Sequence, residues 1–89
     1  MADDNAKWVV VSRGNCPWCD KVKSMLSGEG ITYTTYDIDV LPSIKMFIKD
    51  CGLNTVPQVF RNGKLIGGFG DTALWINDNI HHPEQLQLF

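Results

Sequence analysis

Cys16-Pro17-Trp18-Cys19 is the stretch of this sequence best equipped for chemistry. It follows an apolar run, Trp8-Val9-Val10-Val11, and opens a helix-like segment at Pro17. Two cysteines three apart fall on one side of a helix's first turn. Cys16 then lies at the tip, where unpaired backbone N–H groups point outward and the helix dipole favours negative charge. A thiol so placed gives up its proton more readily than the reference pKa of about 8.5 implies, and the thiolate is the reactive form. Pro17 suits the first helical position, because its missing N–H would be unbonded there anyway. The spacing predicts an exposed, activated sulfur at Cys16 and a more buried one at Cys19, within disulfide reach. A Cys-x-x-Cys after a strand pattern reads as a redox motif. Two other readings stand beside it: half of a zinc site, or a pair of buried structural cysteines. A structural zinc takes four ligands, usually from paired motifs, and the spacing of Cys51, His81 and His82 fits no finger.

Around this turn the periodicities set out a small framework. Lys7 to Ser12 reads as a strand apolar on both faces, as in a sheet covered on two sides. Arg13-Gly14-Asn15 is a loop that delivers Cys16. The helix from Pro17 places Cys19, Val22, Met25 and Leu26 on one face, with Lys21 and Lys23 toward solvent, and Gly28 and Gly30 end it. Ile31 to Asp37, rich in Thr and Tyr, reads as a second strand. Pro42 opens a second helix with Ile44, Phe47, Ile48 and Cys51 along one face, stopped by Gly52. This makes Cys51 a buried small hydrophobe. Two short runs, Gln58 to Arg61 and Lys64 to Ile66, flank Asn62-Gly63, a pair suited to the positive φ angles of a type I′ hairpin turn. Gly67-Gly68-Phe69-Gly70 is a loop, and Asp71 or Thr72 caps a third helix that runs to about Ile80. Trp8 and Trp75 are packing residues. His81 and His82 receive no role, and the tail to Phe89 has too little pattern to assign.

The order β-α-β-α-β-β-α predicts an α/β fold: a four-stranded mixed sheet with helices on both faces. The first β-α-β unit is a right-handed parallel crossover, and the hairpin adds an antiparallel edge. The redox turn falls at the carboxyl end of the first strand, where open α/β sheets place their ligands. At 89 residues the chain is a single domain, 1–89, with residues 1–6 expected to be loose. A net charge of −2 without a basic cluster gives no reason to expect nucleic acid or an anionic membrane surface as partner. The acidic start has no apolar core of a signal peptide, and no stretch has the length to span a bilayer. Three cysteines, an odd number, argue against a secreted disulfide framework and for a reducing, cytoplasmic setting.

The combination of this element order with Cys-Pro-Trp-Cys, Thr55-Val56-Pro57-Gln58-Val59-Phe60, the Asn-Gly hairpin and Gly67-Gly68-Phe69-Gly70-Asp71 resembles the glutaredoxins, a branch of the thioredoxin fold. The likeness covers roughly residues 7 to 80. It implies that Cys16 is the nucleophile and Cys19 the resolving thiol of a redox disulfide. Arg13 stands where the family usually has Lys, and supplies positive charge near the thiolate and a glutathione carboxylate. Trp18 replaces the more usual Tyr as an aromatic wall. Thr55, Val56 and Pro57 match the loop whose proline is cis in the family. Val56 would then offer its backbone N–H and C=O to the glutathione cysteine like an added strand. Phe69, Gly70 and Asp71 match the segment that holds the γ-glutamyl end, with Asp71 pairing with its amino group. Two positions depart from the pattern. Gly70 lacks the polar side chain usual there, and Ile44 replaces a glutamine that binds the glycyl carboxylate, leaving adjacent Lys45 to substitute.

The resemblance thus implies a glutathione-dependent thiol–disulfide oxidoreductase with glutathione as co-substrate and no metal. It would act as a monomer on glutathione mixed disulfides and protein disulfides, and could serve as electron donor to ribonucleotide reductase. Two alternatives belong to other classes. An iron–sulfur carrier would bridge a cluster between two copies, but relatives that do so usually lack proline after the first cysteine. A thioredoxin-like reductase served by a flavoprotein is disfavoured by the Gly-Gly loop with its Asp. Blander readings exist for single residues: Arg13 as a solvated loop charge, Trp18 as cover for the disulfide, Asp71 as a helix cap alone.

Overall fold

The computed structural model describes residues 5–81. Seven elements follow in the order β1 (Trp8–Ser12), α1 (Pro17–Gly28), β2 (Tyr33–Asp37), α2 (Pro42–Asp50), β3 (Gln58–Arg61), β4 (Lys64–Gly67) and α3 (Phe69–Ile76). A π-helical turn, Asn77–His81, continues from α3. The strands form one mixed sheet in the order β2-β1-β3-β4. β1 and β2 are parallel, whereas β1–β3 and β3–β4 are antiparallel. Among the described residues no helix is long and apolar enough to cross a membrane.

β1 is central, and its alternation sorts the two layers. Trp8 and Val10 join Val59 of β3, Val22 and Leu26 of α1, Ile31, and Ile76 of α3 in one buried cluster. Trp75 meets Trp8 edge-on, with ring centroids 5.3 Å apart. α2 covers the opposite face, where Ile48 is buried and Phe47 lies 5.9 Å from Phe60 of β3 between centroids.

Local chemistry sets the element ends. After α1, Gly30 adopts φ +74, and the N–H groups of Gly30 and Ile31 donate to Ser27 O (3.0 Å) and Leu26 O (2.9 Å). This Schellman turn brings apolar Ile31 back onto Leu26. Ile31 therefore closes a helix rather than starting a strand, and β2 begins two residues later than the sequence suggests. The same turn ends α2: Gly52 (φ +81) and Leu53 donate to Lys49 O and Ile48 O. Cys51 is the C-cap of that helix and is exposed, not buried as its spacing from Ile48 predicts. The reversal returns Leu53 to Ile48 and leaves Cys51 on the outer side of the turn.

The Asn62-Gly63 turn forms as expected, with φ of 51 and 79. Asn62 also holds the start of β1, accepting from Lys7 N through Oδ1 and donating its own N–H to Lys7 O, both at 2.8 Å. α3 begins earlier than expected. Its N-cap is Gly68, so Asp71 lies within the first turn and is not the cap. Thr72, fully buried, donates its hydroxyl to Gly68 O at 2.7 Å. α3 ends at Ile76 rather than near Ile80, where the π-helical turn takes over. Of residues 1–6, Ala6 packs at the edge of the core, and residues 1–4 lie outside the described residues. His82 and the tail beyond it also lie outside them.

Candidate active site

The site begins with the way β1 ends. Its last residues pair with β2 on one side and β3 on the other, and Val11 lies directly opposite Gln58. That register brings the loop after β1 beside the loop before β3. The first loop turns at Asn15, whose φ of 52 lies in the left-handed region that Asn tolerates. Cys16 follows as the N-cap of α1, extended at φ −124 and ψ 95, with Pro17 entering the first turn. Cys16 and Cys19 are joined by a disulfide, with Cα atoms 5.2 Å apart. Cys16 Sγ also accepts from the Cys19 N–H at 3.2 Å, one of the donors a helix start leaves unpaired. Cys16 is partly exposed and Cys19 fully buried, the asymmetry predicted from the spacing.

The second loop presents backbone. The Val56–Pro57 peptide bond is cis, and Pro57 is buried. Among the described residues, nothing bonds to the Val56 N–H or C=O. Gln58 anchors this loop from within. Its buried amide donates to Thr55 O at 3.1 Å and Thr55 Oγ1 at 3.2 Å. Nothing in the sequence marks Gln58 as more than a strand residue, because its partner is set by the cis turn.

A cleft of about 360 Å³ opens between these loops and α2. Arg13, Cys16, Thr55 and Val56 line it, together with Lys45 and Lys49. Lys49 escaped the sequence reading, although its place one turn after Lys45 is the signal that puts both on one side of α2. Ile44 is not part of the lining. On the other flank of Cys16, Trp18 is 54% exposed and packs its ring 5.3 Å from Phe69. Lys21 Nζ sits 4.3 Å from the Trp18 ring centroid, a cation–π distance.

Phe69, Gly70 and Asp71 form the first turn of α3. Gly68, just before them, lies against the cis loop: a Cβ there would stand 3.6 Å from Pro57 O. Gly67 has φ +130, and a Cβ on it would run into the Asp71 side chain, 2.8 Å from its Cγ. Glycine at 67 is therefore demanded twice, by backbone conformation and by space. Asp71 is exposed and borders a separate shallow depression shared with Arg61 and Trp75, outside the cleft of Arg13 and Lys45. Among the described residues, no three His, Cys, Asp or Glu side chains converge as metal ligands would.

An accessible sulfur at a helix tip, a buried partner one turn in and a free backbone edge alongside can perform thiol–disulfide exchange. Comparison with known proteins agrees. The Glutaredoxin family model matches residues 8–66. Glutaredoxin 3 of Escherichia coli K12 is 33% identical over 63 residues, 70% of this chain and 76% of that protein. Glutaredoxin-C6 of rice is 35% identical over 78 residues, 83% of this chain and 70% of the relative. Among solved structures, a buckwheat glutaredoxin–glutathione complex superposes with a TM-score of 0.74 at 30% identity, over 90% of this chain and 76% of the other. Sequence, fold and the Cys16–Cys19 pair all lead to one conclusion: this chain belongs to the glutaredoxin family.

Proposed function

We propose that the protein is a glutathione-dependent thiol–disulfide oxidoreductase, acting on glutathione mixed disulfides and on protein disulfides. The observation that carries this reading is the pairing of a partly exposed Cys16 sulfur with the unbonded Val56 backbone across one cleft. Glutathione is a short extended peptide centred on a cysteine. Its backbone can add to Val56 as a strand while its sulfur meets Cys16. Its glycyl carboxylate would lie toward Arg13 and Lys45, where a charge-assisted bond is available. Its γ-glutamyl end would reach the start of α3. There the N–H groups of Phe69 and Gly70 can take the carboxylate, and Asp71 can take the amino group. Trp18 and Phe69 wall the sulfur on that side.

In the reduced protein the Cys16 thiolate attacks one sulfur of a substrate disulfide. A mixed disulfide forms on Cys16, and the other sulfur leaves as a thiolate. Cys19 then attacks the Cys16 sulfur, which expels the second substrate thiolate and closes the Cys16–Cys19 bond. Two glutathione molecules reopen that bond and leave as glutathione disulfide. With a glutathionylated substrate, the glutathione left on Cys16 can be removed by a second glutathione without help from Cys19. A donor role toward ribonucleotide reductase fits the same dithiol chemistry.

The test is a glutathione-coupled assay on a small mixed disulfide, run beside an assay coupled to thioredoxin reductase. Turnover is expected in the first and little in the second. The reverse pattern would overturn glutathione as the reductant.

A further inference from the structure

Three cations face the cleft beside Cys16: Arg13 from the loop after β1, and Lys45 and Lys49 from successive turns of α2. Among the described residues no Asp or Glu shares the lining. Among the described residues none of the three takes an ion-pair partner. The concentration runs against the chain's own balance of −2. Under the reading above, the glycyl carboxylate of glutathione supplies one negative charge here. Two cations are left over.

The direction of an added strand says where their partners come from. Leu53, Asn54, Thr55 and Val56 line the cleft on the α2 side, whereas Pro57 leads away toward Gly68 and α3. A substrate running antiparallel to Thr55-Val56 therefore sends the residues after its cysteine toward Lys45 and Lys49. The residues before its cysteine pass toward α3.

We infer that the protein's preferred disulfide partners carry acidic side chains in the two or three positions after the target cysteine, and that Lys49, with Lys45, recognises them. This rests on Cys16 as nucleophile and Val56 as pairing edge, but not on glutathione as reductant. Exposed charge pairs are individually weak, each giving a factor of about 1.4 to 5. Two such pairs give a preference of about fivefold, expressed mainly in the rate of encounter and sensitive to salt.

The experiment uses four short peptides as symmetric disulfides: acids after the cysteine, acids before it, neutral flanks and basic flanks. Protein reduced with dithiothreitol and freed of it is mixed with each, and the released peptide thiol is measured over a single turnover. Each rate is divided by that of free mercaptoethanol on the same peptide, which removes intrinsic reactivity. At low salt, about 0.01 M, the acids-after peptide should outrun the neutral one about fivefold and the basic peptide should be slowest. The gap should close toward about 1 M salt. Taken as a ratio within each variant, so that folding losses cancel, the preference should fall about twofold in Lys49→Gln and vanish in Lys49→Glu. Equal normalised rates, a preference only for acids before the cysteine, or a preference unchanged in Lys49→Glu overturns the inference. Failure with all peptides alike overturns it together with the exchange chemistry. Failure of the glutathione-coupled assay with the peptide order intact overturns only the glutathione reading and supports the inference.

Discussion

Gln58 holds the loop that carries Val56, and its removal should separate stability from catalysis. Gln58→Met keeps an unbranched side chain of similar length and deletes the amide that donates to Thr55 O and Thr55 Oγ1 at 3.1 and 3.2 Å. Each bond contributes about 0.5–1.5 kcal/mol net. Thr55 is exposed, so its two acceptors regain water once the donor is gone. An apolar residue is also tolerated at a position only 6% exposed. The stability loss should therefore fall at the low end, about 1 kcal/mol, or a melting shift of roughly 4–8 °C for a chain this small. The catalytic effect has another origin. Val56 can bond a substrate well only while its N–H and C=O are held in place. Loosening them costs about one hydrogen bond in the transition state, or roughly a fivefold loss in kcat/KM. Urea unfolding and steady-state kinetics on the same preparations measure both. Thr55→Val, which removes only the hydroxyl acceptor, should give about half the stability effect. If Gln58→Met lost the expected stability but kept full kcat/KM, the loop would not need Gln58 for its positioning and the reasoning would fail.

After reduction, Cys16 should react with iodoacetamide near neutral pH far faster than Cys19, because one is at the helix tip and the other fully buried; equal rates in Cys16→Ser and Cys19→Ser would refute the assignment. Cys19→Ser should retain turnover of glutathione mixed disulfides while losing most reduction of protein disulfides that require two thiols. A variant as inactive as Cys16→Ser on the small substrate would rule out the one-thiol route. Asp71→Asn should leave the melting temperature nearly unchanged, since Gly68 is the cap. It should weaken glutathione kinetics several-fold, as expected for about 1 kcal/mol from an exposed charge-assisted bond; unchanged kinetics would remove Asp71 from the glutathione site.

The parts of the fold legible in the sequence are those written by local chemistry. Pro17 announces α1, Asn62-Gly63 announces the hairpin, and Gly30 and Gly52 mark helix ends through backbone angles that depend on few neighbours. The misplaced boundaries share a cause. Ile31 is apolar enough for a strand, but a helix turn needed it as cover for Leu26. Cys51 keeps helical spacing from Ile48, but the Gly52 reversal ends the row before it is buried. Asp71 has the side chain of a cap, yet α3 starts at Gly68, whose carbonyl accepts from both the hydroxyl and the N–H of Thr72. The chemistry at the candidate site divides in the same way. Cys16 and Cys19 act within four residues and could be read directly. Lys49 and Gln58 gain significance only once β1 and β3 pair in register and α2 crosses above their ends. Trp18 and Asp71 lie on the α3 flank, apart from the cleft that holds Arg13, Thr55 and Val56.

The placement of the three tryptophans has an optical consequence. Trp8, 2% exposed, and Trp75 form an edge-on pair across the core, on the sheet side of α1. Trp18, 54% exposed, lies between the two halves of the disulfide, two residues after Cys16 and next to Cys19. A disulfide quenches a neighbouring indole by accepting an electron from its excited state, and a dithiol does so far less. Trp18 should therefore brighten on reduction with red-shifted emission, while the Trp8–Trp75 pair emits to the blue and responds only when the core opens. Trp18→Phe would silence the first signal and leave the second. A single emission spectrum can then follow the redox state and the folded state of this protein as two separate channels.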